Sequence, residues 1–463
     1  MRGKWVFVCF DILDVASRIL VRRASQIENS RLVIRSRQIF DIALVEILMP
    51  LKIKEKIDVL DIKKQTKLSI AICGIRGIPA CYGGFETFAE ELAPRLVKLG
   101  HDVTVFGRRH VISFKENHYK GVRIRLLSTI RNKYLETPLH TLVCILDMLC
   151  LRARGYCFDV ILVCNAANSP VIWLARLFGF RVVVNVDGIE RMRAKWNMLG
   201  RIWYRIGERC SVWFANHVIS DAKVIQEYYK GAYNADSIVI PYGCIRSEDD
   251  RVDKKLLGLE ITWGQREVLL FSELGVRPYG YILYVSRLEP ENNAHVVIDA
   301  YSQLTQHERD QFPLVIVGDA PYAKDYIANL KKLACREVIF AGYRFGDAYR
   351  TLQLGAYFYV QATEVGGTHP ALVEAMGFGN CVISNKTPEN EEVLGECGVL
   401  YLKNDVSDLN SRMSTLINAP DNVFKWRKKA LERARATYDW AKITQKYEDL
   451  FLSLVVEQRK NKP

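Results

Sequence analysis

The chain has 463 residues, of which 49% are hydrophobic and 25% are charged, close to the averages of globular proteins. This composition excludes a largely disordered chain and a fibrous repeat, and every uncharged apolar run falls well short of the roughly 20 residues that a membrane-spanning helix needs. The 65 Lys and Arg residues exceed the 52 Asp and Glu residues by 13, which favours anionic partners such as phosphorylated substrates, nucleic acid or an anionic membrane surface, although an ordinary basic protein has the same balance.

Residues 1–66 differ from the rest of the chain, because they hold a single glycine and a single proline and an excess of basic over acidic side chains. The pattern RILVRRASQIENSRLVIRSRQIF predicts amphipathic helix. We interpret the segment as a mainly helical N-terminal extension, either a regulatory, docking or membrane-surface segment or a plain helical addition. Its opening, MRGKWVFVCFDIL, has a short apolar run and no small-residue cleavage site, so we expect no secretory signal and a cytoplasmic location.

From Lys67 onward, short apolar strands alternate with helical segments, as is typical of parallel α/β domains. A helix at 86–100, interrupted by Pro94, should be kinked or should start later. A charged, poorly periodic stretch at 246–278 predicts a linker between two series of strands. The predicted strands are 67–74, 101–107, 159–165, 181–188, 217–222 and 237–243 in the first series, and 281–288, 313–320, 337–342, 357–363, 380–385 and 398–402 in the second.

The alternation predicts two Rossmann-like, doubly wound domains that face each other across a cleft. Ligands of such sheets bind at the carboxyl ends of the strands. The predicted boundaries are 67–250 and 251–440. A last helix at 441–463, with its apolar residues at helical spacing, is suited to packing back on the N-terminal domain.

The twelve cysteines include no C-x-x-C pair, and several of them lie in apolar runs, among them Cys73, Cys164 and Cys381. Such cysteines are typical of small core residues in a reducing compartment. The eight histidines supply no closely spaced ligands either, so we expect no metal and no cofactor.

The loop GIRGIPACYGGFET (74–87) joins the first predicted strand to the first helix, and its Gly83 and Gly84 allow a close backbone approach to a ligand. Its spacing is not G-x-G-x-x-G, which disfavours a nicotinamide site. Arg76 in the same loop is a candidate contact for a phosphate or an acceptor, and an ordinary loop arginine is the alternative.

Three further polar residues are candidates for the acceptor side of the cleft. Asp187 follows the strand in VNVDGIERMRAKW and could position a hydroxyl or act as a base, or it could simply cap a helix. Asn165 ends the strand DVILVCN. His140 in LETPLHTL is a catalytic candidate, although a lone histidine is more often structural.

The stretch 191–214, RMRAKWNMLGRIWYRIGERCSVWF, interleaves basic and aromatic residues at helical spacing. This mix suits an anionic membrane surface, which would place the protein at the inner face of the cell membrane. Plain amphipathic packing is the main alternative, and single-stranded nucleic acid is not the expected partner. The basic residues are Arg191, Arg193, Lys195, Arg201, Arg205 and Arg209, and the aromatic ones include Trp196, Trp203, Tyr204 and Trp213.

The segment QATEVGGTHPALVEAMGFGNCVIS (361–384) carries the strongest signal in the chain. After a strand, Gly366 and Gly367 let backbone N–H groups approach a ligand, and Thr368 or His369 should cap a helix that begins at Pro370. A helix N-terminus beside such N–H groups suits a diphosphate. Glu364 and Glu374 could accept sugar or ribose hydroxyls, and a glycine-linked turn with two surface glutamates is the alternative.

On these motifs, residues 68–460 resemble the GT-B fold glycosyltransferases of the large family four, and more narrowly the bacterial rhamnosyltransferase-like branch. The stretches that carry the resemblance are GIRGIPACYGGFETFAEELAPRLVKLGHDVTVFGR, NVDGIERMRAKWN, YVSRLEPENN and EVGGTHPALVEAMGFGN. The resemblance implies a nucleotide-sugar donor in the C-terminal domain, an acceptor in the N-terminal domain, front-face transfer with retention of configuration, and no required metal.

The resemblance also implies roles for single residues. Glu374 would bind the nucleotide ribose, and Glu364 the donor sugar near the reacting carbon, although nine residues separate them here where the family usually has seven. Arg287 and the Gly366–Gly367 backbone would stabilise the leaving diphosphate. The family's second cation is replaced by Asn292, which weakens that stabilisation. Gly83 and Gly84 would lie near the donor phosphates, with Thr368 close by.

The branch suggests dTDP-L-rhamnose as donor and a glycan or lipid-linked precursor of a surface polysaccharide as acceptor. Besides a nucleic-acid-binding protein, which salt-sensitive binding to oligonucleotides would support, two other hypotheses stay open at this point. One is an epimerase or phosphorylase on the same fold. The other is a non-catalytic subunit that binds a sugar nucleotide and recruits partners through residues 1–66, and Asn292 in place of lysine favours it.

Overall fold

Two parallel sheets with helices on both faces are built from the alternating segments that the sequence predicts. The computed structural model of the protein describes residues 66–80, 83–132, 135–193, 196–244 and 250–460. The predicted extension, up to residue 65, lies outside the described residues, and so does Lys195. Residues 67–463 form one compact unit that contains both sheets.

The first sheet has eight strands. They are β1 (Ser69–Cys73), β2 (Asp102–Arg108), β3 (His118–Tyr119), β4 (Val122–Leu127), β5 (Val160–Cys164), β6 (Arg181–Asn185), β7 (His217–Ser220) and β8 (Ile238–Val239). Their order is β3-β4-β2-β1-β5-β6-β7-β8, and all pairs are parallel except β3 with β4. The associated helices are α1 (Gly84–Lys98), α2 (Glu136–Ala153), α3 (Ile172–Leu177), α4 (Met198–Phe214) and α5 (Lys223–Tyr233).

The second sheet has six strands, all parallel, in the order β11-β10-β9-β12-β13-β14 once numbered along the chain. They are β9 (Ile282–Val285), β10 (Leu314–Val317), β11 (Val338–Gly342), β12 (Phe358–Gln361), β13 (Cys381–Asn385) and β14 (Val399–Tyr401). The helices that follow α5 are α6 (Arg251–Leu256), α7 (Gln265–Leu274), α8 (Ala294–Ser302), α9 (Gln306–Gln311), α10 (Lys324–Leu333), α11 (Gly346–Gly355), α12 (Pro370–Gly377), α13 (Pro388–Leu394), α14 (Val406–Ile417), α15 (Pro420–Thr437) and α16 (Trp440–Lys460).

The central strands are buried on both faces, which explains their nearly continuous apolar sequences. The predicted fold class is therefore confirmed as two doubly wound α/β sheets. The last helix, α16, packs on α1: the ring of Phe88 lies 6.2 Å from that of Trp440 and 5.4 Å from that of Tyr447, centroid to centroid. The C-terminal segment thus contributes to the core of the first sheet.

Two local predictions differ from the structure. The stretch 246–278, predicted as a linker, contains α6 and α7, because Val252, Leu270 and Phe271 are buried and anchor both helices despite the charged residues around them. Pro94 does not delay the start of α1, since the helix begins at Gly84 and continues through the buried proline, whereas a kink at Pro94 stays a prediction.

Candidate active site

The carboxyl ends of strands from both sheets open into one cleft with a volume of about 830 Å³. The cleft gathers most of the residues singled out by the sequence. Those that line it are Arg76, Gly83, Gly84, Asn165, Asp187, Arg287, Asn292, Gly366, Gly367, Thr368 and Glu374. Because α/β sheets bind ligands at this edge, the cleft is the candidate active site.

The glycine turn before α12 packs closely against the first sheet. A Cβ atom at Gly188 would lie 2.4 Å from the carbonyl carbon of Gly366, and one at Gly367 would lie 2.0 Å from Oδ1 of Asp221. Only glycine tolerates such an approach at these positions. On the opposite loop, a Cβ at Gly84 would lie 3.1 Å from Cγ of Pro370, so both glycine loops touch the other half of the molecule.

Asp221, at the carboxyl end of β7, connects the two halves directly. Its Oδ2 accepts the backbone N–H of Thr368 at 2.7 Å, and its carbonyl accepts the Thr368 hydroxyl at 2.6 Å. The sequence analysis missed this residue, although the motif HVISDA places an aspartate directly after a strand, as VNVDG does for Asp187.

Asp187 and Asp221 form a carboxyl pair that lines the cleft, with Asp221 buried and Asp187 half-buried. Burial is the main reason that both pKa values lie above the usual range of aspartate, and the charge of Asp187 raises the pKa of Asp221 further. Two neighbouring carboxyls cannot both ionise at low cost in a buried setting, which favours protonation of one of them. Asp187 also has a positive φ of 55°.

Arg287 follows β9 and lies in the cleft wall, with Nη1 3.5 Å from Oε2 of Glu289. The Asn292 side chain shapes this turn, because its Nδ2 donates to the Arg287 carbonyl at 2.6 Å. The Asn292 carbonyl in turn accepts the Tyr284 hydroxyl at 2.6 Å. The amide at position 292 thus holds the backbone that carries Arg287.

A second guanidinium reaches the cleft from the other half of the molecule. Arg193 is buried, with Nε 2.5 Å from Oε1 of Glu190 and Nη1 4.0 Å from Oε1 of Glu291. Burial alone would lower the pKa of Arg193, but the carboxylates around it raise the pKa overall. Arg193 therefore stays charged and supplies a cation close to the glycine turn.

His369 is the N-cap of α12 and lines the same cleft as Arg193 and Arg287. Burial foremost, and then the charges of Arg193 and Arg287, lower the pKa of this imidazole to about 3. A neutral ring beside two cations and a helix N-terminus describes a region of positive potential. Such a region fits an anion with two phosphate groups.

Glu374 lies one turn inside α12, with its side chain buried in the cleft wall. Its carboxylate accepts the hydroxyl of Tyr349 at 2.6 Å and that of Tyr242 at 3.5 Å. Burial is the main cause that raises the pKa of Glu374 to about 7. The rings of Tyr343 and Phe345 also line the cleft, stacked at 5.7 Å between centroids and 24° between planes.

Glu364 and His140, two catalytic candidates from the sequence, do not line the cleft. The Glu364 carboxylate lies 2.7 Å from Nζ of Lys403 and accepts from Asn404 Nδ2 at 3.2 Å, and the hydrogen bond from Lys403 is the main cause that lowers its pKa. His140 is fully buried and donates from Nε2 to the Gly107 carbonyl at 3.1 Å, and burial is the main cause that lowers its pKa to about 4. Glu364 nevertheless stays near the candidates, because its N–H donates to the carbonyl of Glu291, next to Asn292, at 3.0 Å.

The other candidates occupy defined positions in the cleft. Oδ1 of Asn165 accepts the N–H of Ala167 at 2.9 Å, which fixes the turn after β5. The N–H of Arg76 donates to Oε1 of Glu86 at 2.9 Å. Across the described ranges, no group of three or more His, Cys, Asp or Glu side chains is arranged to hold a metal ion. Whether the reaction needs a metal stays a prediction.

The basic and aromatic stretch 191–214 divides between the cleft and the surface. Trp196 and Tyr204 line the cleft, and Trp203 Nε1 donates to the Ala167 carbonyl at 3.1 Å. Arg191 donates from Nη2 to the Tyr228 hydroxyl at 2.9 Å. Arg201, Arg205 and Arg209 are exposed on α4, as is Trp213. Among the described helices, none is both long enough and apolar enough to span a bilayer.

Solved structures share this arrangement of two sheets around a cleft. The structure is similar to sucrose-phosphate synthase from Thermosynechococcus elongatus, with a TM-score of 0.66 and 18% identity over 84% of this chain and 100% of that one. It is similar also to HepE from Anabaena, in a structure with UDP and glucose, with a TM-score of 0.64 and 18% identity over 83% of this chain and 99% of that one. At such identities the likeness shows the fold, which is GT-B.

The sequence also matches two families of glycosyltransferase domains. Residues 83–243 match the glycosyl transferase 4-like domain, and residues 271–436 match the glycosyl transferases group 1. The two matches together cover well over half of the chain and include both walls of the cleft. The protein therefore belongs to the group 1 glycosyltransferases.

Among curated proteins, the O-antigen chain mannosyltransferase B of Escherichia coli is 26% identical over 170 residues, 36% of this chain and 44% of that protein. The match thus spans somewhat less than half the length of that curated relative. No rhamnosyltransferase stands among these similar proteins, so the narrower branch suggested by the sequence motifs is not confirmed.

Proposed function

We propose that the protein transfers a sugar from a nucleoside diphosphate sugar to a hydroxyl of a glycan or lipid-linked acceptor, with retention of configuration. The observation that carries the proposal is the convergence of Arg287, Arg193 and the Gly366–Thr368 turn at the N-terminus of α12. Positive charge from both halves meets there, which suits the diphosphate that leaves during transfer.

Donor binding divides between two parts of the second sheet. The diphosphate lies against Arg287 and the backbone N–H groups of Gly366 and Gly367. The ribose hydroxyls donate to Glu374, which has exchanged its present tyrosine partners for them. The stacked pair Tyr343 and Phe345 offers an apolar platform for the base.

The transfer step is a front-face substitution. The bond between the anomeric carbon and the diphosphate oxygen breaks, and a bond from the acceptor oxygen forms on the same face of the sugar. The proton of the acceptor hydroxyl passes to the leaving diphosphate, so the chain need not supply a nucleophile. Asp187 positions the acceptor hydroxyl, and Asn165 and Arg76 complete the acceptor side.

The proposed donor is dTDP-L-rhamnose, on the motif resemblance alone, and the proposed pathway is synthesis of a surface polysaccharide. The similar proteins carry other sugars in their names, mannose for the Escherichia coli relative and glucose, with UDP, for the Anabaena structure. The donor panel must therefore include dTDP, UDP and GDP sugars.

The test is a thermal-shift panel of these nucleotide sugars on the wild type and on Glu374→Ala. We expect one donor to raise the melting temperature of the wild type through preferential binding to the folded state, and we expect the variant to lose most of that shift. The proposal fails if no nucleoside diphosphate sugar stabilises the wild type, or if the variant responds equally.

A non-catalytic sugar-nucleotide-binding subunit is the second candidate. Two observations favour it: Asn292 bonds to the backbone where the family has a cation, and Glu364 pairs with Lys403 and does not line the cleft. Donor binding with no transfer to any acceptor in a glycan panel, and no hydrolysis of the donor, would support this candidate over the transferase.

A further inference from the structure

The orientation of α4 is fixed by close packing of one face. Its buried side includes Tyr204, Glu208 and Ser211, and Gly207 lies so near the segment Ala166–Val171 that a Cβ there would be 2.4 Å from the Ala166 carbonyl oxygen. Because the helix cannot rotate about its axis without losing this contact, the opposite face is held outward.

That outward face is apolar. Leu199, Ile202, Ile206 and Trp213 recur at helical spacing on the side opposite the buried stripe, and Leu199 and Trp213 are 73% and 66% exposed. The neighbouring helix α3, which contacts α4, adds the exposed Trp173 and Leu177. Exposed apolar residues at helical spacing on a folded protein are typical of an interaction site.

The charges on α4 are of one sign at the surface. Arg201, Arg205 and Arg209 are exposed and border the apolar stripe. The one acidic residue of the helix, Glu208, is buried, and its Oε2 accepts from the hydroxyls of Tyr228 and Tyr233. The exposed face of α4 therefore carries positive charge without a compensating carboxylate from its own helix.

We propose that this face of α4, defined by Leu199, Ile202, Ile206, Trp213 and the three arginines, docks the protein on an anionic lipid bilayer. An apolar stripe bordered by arginines matches the two layers of such a surface: apolar side chains enter the boundary of the acyl chains, and guanidiniums pair with anionic headgroups. Interfacial Trp213 suits that depth, because its ring has both an apolar body and an N–H group.

The docking face lies next to the candidate active site. Tyr204, on the inner side of α4, and Trp196, just before the helix, line the cleft, so the cleft and the docking face are separated by about one helix diameter, on the order of 10 Å. An acceptor anchored in the same bilayer would therefore be presented close to the acceptor side. This consequence for the acceptor rests on the proposed function, whereas the docking itself does not.

The experiment measures co-sedimentation of the full chain with vesicles of equal parts phosphatidylglycerol and phosphatidylcholine. One test variant combines Arg201→Gln, Arg205→Gln and Arg209→Gln, and the other combines Ile202→Glu and Trp213→Glu. We expect each to lower the partition coefficient on the order of 100-fold, and we expect wild-type binding to weaken in high salt.

Matched controls make the same chemical changes elsewhere on the surface. Lys425→Gln, Lys428→Gln and Lys446→Gln remove three exposed cations from α15 and α16, and Leu269→Glu with Leu402→Glu charges two exposed apolar residues of the second sheet's half. Both control proteins should bind vesicles within about threefold of the wild type, since only the α4 face is engaged.

Four results would overturn the proposal. The first is that the wild type does not bind these vesicles, and the second is that it binds pure phosphatidylcholine vesicles equally well. The third is that the α4 variants bind as the wild type does, which would place lipid binding elsewhere, for example in residues 1–66. The fourth is that light scattering shows a wild-type dimer that Trp213→Glu dissociates, which would mean that a second copy covers the face.

The donor thermal shift separates this proposal from the proposed function. The α4 variants should keep the full nucleotide-sugar shift, because none of their substituted residues lines the cleft. Vesicle binding without a donor shift would support the docking face and contradict the proposed transferase function. A donor shift without vesicle binding would support nucleotide-sugar binding and contradict the docking face.

Discussion

The two walls of the cleft differ in the kind of group that they present. The wall from the second sheet offers a guanidinium, Arg287, and the glycine turn at the start of α12, which together suit a leaving anion. The wall from the first sheet offers the carboxyl pair Asp187 and Asp221, which suits hydroxyl groups. Similar sheets thus acquire different tasks through the side chains at their strand ends.

The division between the walls is not complete. Arg193 crosses from the first wall toward Glu291, and Asp221 crosses to the N–H of Thr368. These crossing contacts hold the walls in register, so changing one wall should affect ligand binding at the other. Four substitutions test the roles assigned to residues of the two walls. They follow in order from the largest expected effect to the smallest.

The largest effect should follow Arg287→Ala. Loss of the guanidinium removes stabilisation of charge that develops on the leaving diphosphate, and we expect kcat to fall by about 100-fold to 1,000-fold. Initial rates with the donor identified by thermal shift give the measurement. Arg287→Lys should recover part of the loss, and Arg412→Ala, at a surface ion pair with Asp408, should leave kcat unchanged. A fall of less than threefold for Arg287→Ala would contradict its assignment to the diphosphate.

The next effect should follow Gly367→Ala, which tests how tightly the turn is held. The added Cβ would lie 2.0 Å from Oδ1 of Asp221, so the turn must move, and we expect a loss of about 1–3 kcal/mol in the free energy of unfolding together with weaker donor binding. Chemical denaturation and the donor thermal shift give the two measurements.

Two further variants serve as controls for Gly367→Ala. Removing the obstructing carboxylate with Asp221→Ala in the same chain should restore part of the lost stability. Gly231→Ala in α5, where nothing lies within 4 Å of the added Cβ, should leave the stability unchanged or slightly improved. Equal effects of the two glycine substitutions would contradict the close packing of the turn.

The third effect concerns pH. Because the pKa of each carboxyl in the Asp187–Asp221 pair is raised in the folded state, the pair stabilises the fold most below about pH 4, the usual pKa of aspartate, and this stabilisation is lost as the pH rises. Asp221→Asn cannot titrate and still accepts the Thr368 N–H through its carbonyl. We therefore expect the variant to gain on the wild type between pH 4 and pH 8, by on the order of 1 kcal/mol.

Melting temperatures of both proteins across that pH range give the measurement. Asp253→Asn, at an exposed ion pair with Arg435, is the control, and its difference from the wild type should stay nearly constant with pH. A difference for Asp221→Asn that is equally flat would mean that neither carboxyl of the pair changes its protonation state between pH 4 and pH 8, which would contradict this prediction.

The smallest effect should follow Glu364→Gln. The carboxylate pairs with the half-exposed Lys403 outside the cleft, so its loss should change the free energy of unfolding by less than about 1 kcal/mol and kcat by less than about threefold. Denaturation and initial rates check this. A fall in kcat of tenfold or more would return Glu364 to the donor site that the sequence resemblance assigned to it.

Much of this architecture is readable from local sequence. The period of the apolar residues predicts the two series of strands, and parallel strands bring their carboxyl ends to one edge of a sheet, so Asp187, Asn165 and Gly366 could be assigned to a common cleft. The glycine turn and Pro370 could be placed because strand, glycine pair and first-turn proline follow one another within a dozen residues.

The remainder depends on contacts that are distant in sequence. The Glu364 carboxylate pairs with Lys403, which lies beyond β14, and no local pattern contains that information. The sequence pattern places Arg193 among the surface cations of 191–214, yet it follows the short helical turn Glu190–Met192 and is buried. The partner of Asp221 is Thr368, 147 residues later in the chain.

Calorimetric titration of the nucleoside mono- and diphosphates of the preferred base, on the wild type and on Arg287→Ala, examines the diphosphate site most directly. We expect the wild type to bind the diphosphate at least tenfold more tightly than the monophosphate, and we expect Arg287→Ala to lose most of that difference while it keeps its affinity for the monophosphate. Equal affinities of the wild type for both nucleotides, or an unchanged difference in the variant, would contradict a diphosphate site at the turn before α12.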